Sequence, residues 1–363
     1  MQIIILYYTL IAIFIIIVEA NYKNLKLSKN SLYFIYSTPL LIFFSFTAFR
    51  DYNIGTDTEN YLYFFSKVID SDNLSIFSTS RFEFLFIFIS YIASFLENER
   101  FYLIIVSFIQ TIAFFFAIRL WSKNPVVSFL FFCSLFVSYN LGTNILRQGL
   151  AIPFALISIH YLLEKKIRPF IIFLLISFFF HHTSIIMILF SFLCLNKFRI
   201  RTYIIFWLIA IILLYSGSLK FILELGRDLF SFNESYRNIL SKFSLDSYQV
   251  GFRLDFILFS SIPLLILLIT NKKNIIKENI FLIKLYFSLN TFFILIMEIP
   301  YSDRFGLYSW ILFPLLIPNL IKENKFKILR NNVIWLFLTF IAGVVSFVFY
   351  PIMQVSLNFN ELI

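Results

Sequence analysis

Apolar runs long enough to cross a bilayer recur along almost the whole chain, and that repetition leaves few folds open. A run of about 20 residues covers the hydrocarbon as a helix, and inside the bilayer every backbone amide must be satisfied within the segment. Of the 363 residues, 60% are hydrophobic and only 14% are charged. Such a surface cannot be kept in water, which excludes an ordinary soluble domain. The pattern predicts an all-α fold, a polytopic transmembrane helical bundle of about twelve spans. The runs lie near Gln2 to Val18, Leu32 to Phe49, Phe82 to Leu96, Phe101 to Ile118, Val126 to Tyr139, Ile145 to Leu163, Phe170 to Leu195, Thr202 to Ser216, Leu254 to Thr270, Ile280 to Met297, Phe305 to Ile321 and Val333 to Tyr350. No soluble domain, low-complexity linker or convincing repeat interrupts them, so residues 1–363 read as a single integral membrane domain. The first run lacks a basic start and a small-residue cleavage site, and Lys23, Lys26 and Lys29 follow it, which reads as a retained span.

The formal net charge of +10 would suggest nucleic acid in a soluble protein. Here Lys and Arg sit mainly in short connectors, where membrane topology accounts for them, and no nucleic-acid partner is expected. Lys23, Lys26 and Lys29 put the first connector in the cytoplasm. The same rule places Lys197, Arg199 and Arg201, then Lys272, Lys273 and Lys277, then Lys322, Lys325, Lys327 and Arg330 inside. Twelve crossings satisfy all of these and leave outer loops at about 50–81, 217–253 and 298–304. One conflict remains: the count puts the basic connector Glu164 to Arg168 outside and Asn140 to Gln148 inside. An even number of non-crossing or re-entrant segments between Arg81 and Lys197 removes it. The short run Phe82 to Leu96 and the long run broken by His181 and His182 are the suspects.

A dense polar cluster, Arg50-Asp51-Tyr52-Asn53-Ile54-Gly55-Thr56-Asp57-Thr58-Glu59-Asn60-Tyr61, emerges directly from the second run. Charge beside hydrocarbon is expensive, so such a cluster needs open water or an ionic ligand. After Gly55-Thr56, the residues Tyr61, Phe64, Phe65 and Val68 recur near helical spacing, which predicts a short interfacial helix on the outer leaflet. Two readings compete for Arg50 and Asp51. Either they end a helix at the headgroups, or Arg50 binds phosphate while Asp57 or Glu59 accepts a proton. Arg81 and Glu83, two residues apart, would face different directions on a helix and so make no local ion pair; both are candidate ligand-binding side chains, although a glutamate there also suits a helix N-terminus.

Further along, Asn144, Arg147 and Gln148 open the sixth run, where an arginine faces protein, water or an anion unless it snorkels to the interface. His181-His182-Thr183-Ser184 interrupts a long apolar stretch. Adjacent histidines diverge on a helix, and His160 has no acidic companions nearby, so no metal site is expected. A histidine there is either hydrogen-bonded packing or an acid or base. Asp303-Arg304 occupies an expected tight outer turn, as a mutually compensating pair or as part of the same outer cavity. Asp70-Ser71-Asp72 looks like the acid pair that holds a metal-bound nucleotide sugar, but it falls on the outer side. Cys133 and Cys194 lie in apolar stretches as small buried side chains. Walker-type loops, dinucleotide-binding glycine patterns and Gly-x-Ser-x-Gly elbows are absent, and no cofactor is expected.

An arginine ending an early span, followed by Gly55-Thr56-Asp57-Thr58 and Tyr61, then Asn144-Ile145-Leu146-Arg147-Gln148, a Phe180-His181 step and Asp303-Arg304, together resemble the EpsG family of bacterial polysaccharide polymerases. The resemblance implies a multi-pass protein of the bacterial cytoplasmic (inner) membrane. It implies Wzy-like polymerisation of exopolysaccharide, capsule or O-antigen repeat units carried on undecaprenyl diphosphate, at the outer face. The implied partners are undecaprenyl-diphosphate-linked oligosaccharides, the lipid bilayer, and a chain-length regulator and flippase of the same pathway. The positions carried over are Arg50, Gly55, Asp57, Tyr61, Arg147, His181, Asp303 and Arg304, with His181 and His182 both open for the histidine. Arg50, Arg147 and Arg304 are then the diphosphate candidates, because planar guanidinium forks suit phosphate oxygens. Asp57, followed by Asp303 or His181, are the candidate bases. The competing functions are a ligase or single-addition glycosyltransferase, and a transporter or flippase of lipid-linked sugars.

Overall fold

A computed structural model describes residues 29–70, 76–122, 125–221, 250–269 and 276–322. The expected spans Gln2 to Val18 and Val333 to Tyr350, most of the loop 217–253, Ser71 and Asp72, and the basic residues Lys23, Lys26, Lys272, Lys273, Lys325, Lys327 and Arg330 lie outside them. Every element among the described residues is helical. They group into two compact units, one ending at Leu189 and the other starting at Phe190. Among the described residues, three helices, Glu99–Trp121, Leu146–Leu163 and Lys277–Leu295, are long and apolar enough to cross a membrane. Phe84–Ser94, Ile167–Phe180, Ile200–Tyr215 and Leu254–Leu268 are shorter apolar helices.

The first unit contains α1 (Lys29–Ala48), α2 (Thr58–Asp70), α3 (Ile76–Thr79), α4 (Phe84–Ser94), α5 (Glu99–Trp121), α6 (Pro125–Ser134), α7 (Phe136–Thr143), α8 (Leu146–Leu163) and α9 (Ile167–Phe180). A 3₁₀ turn at His182–Ser184 then leads into α10 (Ile185–Cys194). Asn98 caps α5, its side chain accepting from the amides of Arg100 and Phe101. From this cap, Arg100 Nη1 donates to the carbonyls of Ala48 at 3.1 Å and Arg50 at 2.6 Å. So α5 starts at the end of the unit where α1 stops. Among the described residues between them, the strongly apolar helix is α4, which has 11 residues and rises about 17 Å, far less than the roughly 30 Å of hydrocarbon. Phe82 to Leu96 is therefore not a crossing.

The rest of the first unit follows from this. Trp121, at the far end of α5, donates to the carbonyl of Leu156 at 3.0 Å, so α5 and α8 run side by side in one direction. Thr58 Oγ1 donates to the carbonyl of Thr143 at 3.2 Å, which fixes the turn between α7 and α8 against the polar cluster after Arg50. Gly55, at φ +95°, makes that contact feasible: a Cβ there would stand 2.7 Å from Asn144 Oδ1 and 2.9 Å from the Thr143 carbonyl. The expectation that Asn140 to Gln148 lies across from Arg50 to Arg81 is thus overturned. α9 returns antiparallel to α8, with Ser158 donating to the Phe170 carbonyl and Ser177 to that of Ala151. The connector Glu164 to Arg168 then lies at the end opposite Thr143.

Phe170 to Leu195 is not one straight span either. Ser177 and Ser184 are seven residues apart, about 10 Å of rise in a continuous helix. Their hydroxyls are 2.9 Å apart. The helix line is broken at the histidines, so α9 and α10 are two separate pieces joined by the 3₁₀ turn. The predicted helix after Gly55-Thr56 is present as α2, but its apolar face, Tyr61, Phe64, Phe65 and Val68, is buried against α4, α5 and the start of α8 rather than laid on lipid. Burial of the Tyr61, Phe64 and Phe65 rings is what fastens the segment after Arg50 to the bundle.

The second unit contains α11 (Ile200–Tyr215), α12 (Leu254–Ile269), α13 (Lys277–Leu295), α14 (Asp303–Trp310) and α15 (Phe313–Lys322). Its centre is polar. Asn290 accepts from Trp207 Nε1 at 2.7 Å and donates to Ser260 and Ser309, while Trp310 Nε1 also reaches Ser260. Side-chain hydrogen bonds of this kind tie membrane helices together at about 0.6 kcal/mol each. Cys133 and Cys194 are free and buried, as their apolar settings predict.

Two outcomes test this fold. Cysteines introduced at Thr56 and Glu97 should react with a membrane-impermeant maleimide from one side and a cysteine at Lys165 only from the other, the buried native thiols staying silent. Gly149 sits where a Cβ would run into the Leu141 carbonyl and the Gln110 amide. Gly149→Ala should therefore cost about 1–3 kcal/mol, read as a lower unfolding temperature in detergent.

Candidate functional site

Glu83 precedes α4 in an extended conformation, φ −75° and ψ 152°, and its side chain caps no amide. The expected interaction with the helix N-terminus is not what its carboxylate makes. Oε2 accepts from Arg147 Nη1 at 2.7 Å, and Oε1 pairs with His181 Nδ1 at 2.7 Å. Arg147 comes from the first turn of α8. His181 is the residue that ends α9, and its extended φ of −162° turns it out of the helix line. One carboxylate, 5% exposed, so gathers groups 64 and 98 positions away in the chain. Arg147 also lies over the Phe82 ring, 4.5 Å from its centroid, and its Nε is buried without a hydrogen-bond partner.

The arrangement fixes proton positions. An ionised carboxylate only accepts, so Nδ1 of a neutral His181 carries the hydrogen and Nε2 presents its lone pair. His182, held in the 3₁₀ turn, packs its ring 4.6 Å from that of Phe178 and takes no part. Of the two histidines left open by sequence, the geometry brings His181 into the constellation.

Arg50 stands two residues past the end of α1 and is 4% exposed. One guanidinium nitrogen donates to the Thr47 carbonyl, whereas Nε and Nη2 are buried with no hydrogen-bond partner. Its electrostatic neighbours are Tyr102, Tyr139, Arg100 and Tyr61, with no carboxylate among them. Burial lowers this guanidinium from 12.5 to about 10, so it remains a cation at neutral pH. Tyr61 and Tyr102 neighbour Arg50 and Arg147 alike. The two arginines thus converge on one aromatic-walled region.

The other predicted residues are placed differently. Asp57 is partly exposed just before α2, where its carbonyl accepts from the Tyr61 amide. Arg81 is exposed, 5.6 Å from the Phe82 ring centroid, and is not one of the ion-pair partners of buried Glu83, which are Arg147 and His181. Asp303 and Arg304 belong to the second unit, where they start α14 instead of forming an isolated turn, and Arg304 lies 5.0 Å from the Tyr301 ring centroid. Sequence reasoning missed Tyr102 and Phe82, since an aromatic ring in an apolar run reads as packing.

Buried charges on a helical scaffold with bilayer-length apolar helices define a membrane protein with an ionic site. The sequence matches the EpsG family over residues 33–361, and the chain belongs to that family. Membership makes it a polysaccharide polymerase-like membrane protein. Neither a curated protein nor a solved structure matches it.

Removing one member of a buried ion pair strands the other. Glu83→Gln should cost roughly 2–3 kcal/mol, somewhat under the value for a fully buried pair because Arg147 is 21% exposed. The Glu83→Gln/Arg147→Met double variant should lose less than the sum of the singles in detergent unfolding, whereas strict additivity would show the pair to be uncoupled.

Proposed function

We propose that this protein polymerises exopolysaccharide, capsule or O-antigen repeat units carried on undecaprenyl diphosphate, at the outer face of the bacterial cytoplasmic membrane. The observation that carries the reading is the Glu83–Arg147–His181 constellation next to a buried, partly unpartnered Arg50. A sugar hydroxyl of the incoming lipid-linked repeat gives its proton to His181 Nε2 as its oxygen bonds to the anomeric carbon of the growing chain. The bond from that carbon to the diphosphate oxygen breaks, and the leaving undecaprenyl diphosphate is held by Arg50 and Arg147. Glu83 orients the base and stabilises the imidazolium that forms. Tyr61 supplies an aromatic wall. Asp57, at the exposed edge, is the runner-up base. The proposal gives Asp303, Arg304 and Arg81 no place in this constellation.

Charge supports the outer location. Arg119, Lys165, Lys166 and Arg168 occupy one end of the first unit with Glu164 among them, whereas at the other Arg50, Arg81 and Arg100 stand among Asp51, Asp57, Glu59, Glu97 and Glu99. Basic residues favour the cytoplasmic side, which supports an outer face for the constellation. With Phe82 to Leu96 not crossing, Glu164 to Arg168 falls inside in this reading, as the charge rule prefers. Twelve crossings are then no longer needed.

Purified protein supplied with a defined lipid-linked repeat should yield a ladder of products without moving lipid across the membrane. A single added repeat would indicate a ligase, and translocation without growth a flippase. His181→Gln should slow chain growth by about 10²- to 10⁴-fold, the usual worth of a general base. His182→Gln should stay within tenfold of wild type. Equal loss in both, or loss only in Asp57→Asn, would remove His181 from the role.

A further inference from the structure

The second unit contains a crevice of about 570 Å³, within the roughly 300–1,000 Å³ of small-molecule sites. Its lining has two kinds of surface. Ile204 and Leu264 belong to an apolar wall, and Lys197, Arg199, Arg201 and Lys284 supply positive charge, with no carboxylate among the lining residues. Lys197, Arg199 and Arg201 are exposed, whereas Lys284 is 8% exposed. Its ammonium donates to the Asn196 carbonyl at 2.9 Å and lies 5.7 Å from the Tyr203 ring centroid, and both of these partners are neutral. A nearly buried cation among further cations favours an anion.

The apolar part says what kind of anion. Ile204 begins a strip on α11 that Leu208, 44% exposed, and Ile212, 65% exposed, continue at helical spacing. A free phosphate compound has no use for that lane. An acyl chain does, and basic connectors lie on the cytoplasmic side. We propose that this crevice binds an anionic phospholipid of the cytoplasmic leaflet, with its phosphate among Lys197, Arg199, Arg201 and Lys284 and an acyl chain along Ile204, Leu208 and Ile212. The site is independent of the constellation around Glu83 and of the polymerase reading.

The test is native mass spectrometry of the full-length protein, incubated with phosphatidylglycerol or phosphatidylcholine of identical acyl chains. Wild type should retain the anionic lipid at least fivefold better. Arg199→Gln/Arg201→Gln, two exposed changes that leave the helices intact, should bring the ratio close to one. Ile204→Trp, which obstructs the lane, should reduce retention of phosphatidylglycerol while the protein remains monodisperse. Equal retention of both lipids by wild type, or an undiminished preference in the double variant, would overturn the proposal. Displacement of bound phosphatidylglycerol by millimolar inorganic phosphate would overturn the lipid as the source of the anion.

Discussion

A carboxylate in apolar surroundings is tolerable only when its charge is matched and its oxygens are bonded, and Glu83 meets both conditions by drawing in Arg147 and His181. Much of the first unit follows from that requirement. Glu83 has to sit ahead of α4 rather than cap it, so the chain enters α4 in an extended conformation. Arg147 has to open α8 at the same level, which brings the turn after α7 beneath the loop at Gly55. His181 has to leave the line of α9, which breaks a helix inside an apolar run. That break leaves few stranded groups: the His181 amide bonds the Ser177 carbonyl, the Ser184 amide bonds the His181 carbonyl, and the Ser177 and Ser184 hydroxyls bond each other. An interrupted helix at membrane depth persists only where its freed backbone is satisfied in this way.

The same interaction decides the course of the chain. A buried ion pair cannot form between groups held at opposite faces of a bilayer, so Glu83, Arg147 and His181 share one level. Arg100, bonded to the Ala48 and Arg50 carbonyls, then fixes the start of α5 at the end where α1 stops. With those two ties in place the basic connector Glu164 to Arg168 has one position left, away from the acidic segment around Asp57. Charge bias and packing geometry then agree, although the charge rule was no part of the geometry.

How much of this could be read from the residues depended on the range of the physics involved. The all-helical class rests on the length of the apolar runs and the apolar face of α2 on periodicity, both local, and the latter was legible from Tyr61, Phe64, Phe65 and Val68. That Glu83 and Arg81 form no local ion pair was legible from their two-residue spacing. The level of the turn at Asn144 was not, because hydropathy counts runs without showing which ones return to the side they left. Whether His181 or His182 mattered turned on a backbone break whose direction no spacing encodes. Glu83 read equally well as a helix-end carboxylate, since its partners lie 64 and 98 residues away. Tyr102 gave no signal at all, being one aromatic residue among 52 phenylalanines and 20 tyrosines.

Arg50 differs from the other buried cations in a way that bears on chemistry. Arg147 has a carboxylate and Lys284 a carbonyl and an aromatic face. Arg50 has one carbonyl, and two of its nitrogens bond nothing. A guanidinium held this way has already given up most of its water, so under the proposed function a phosphate oxygen would meet a bare donor pair in low dielectric, where each charge-assisted bond is worth more than at the surface. The cost of desolvating the cation falls on folding, through burial of the rings around it, instead of on the binding event. In the proposed reaction, donors fixed before the ligand arrives would need no reorganisation as negative charge builds on the leaving diphosphate. The neighbouring Arg147 cannot supply the same effect alone, because its charge is already balanced by Glu83. An unbalanced Arg50 beside a balanced Arg147 is therefore an arrangement suited to a group that gains negative charge during reaction.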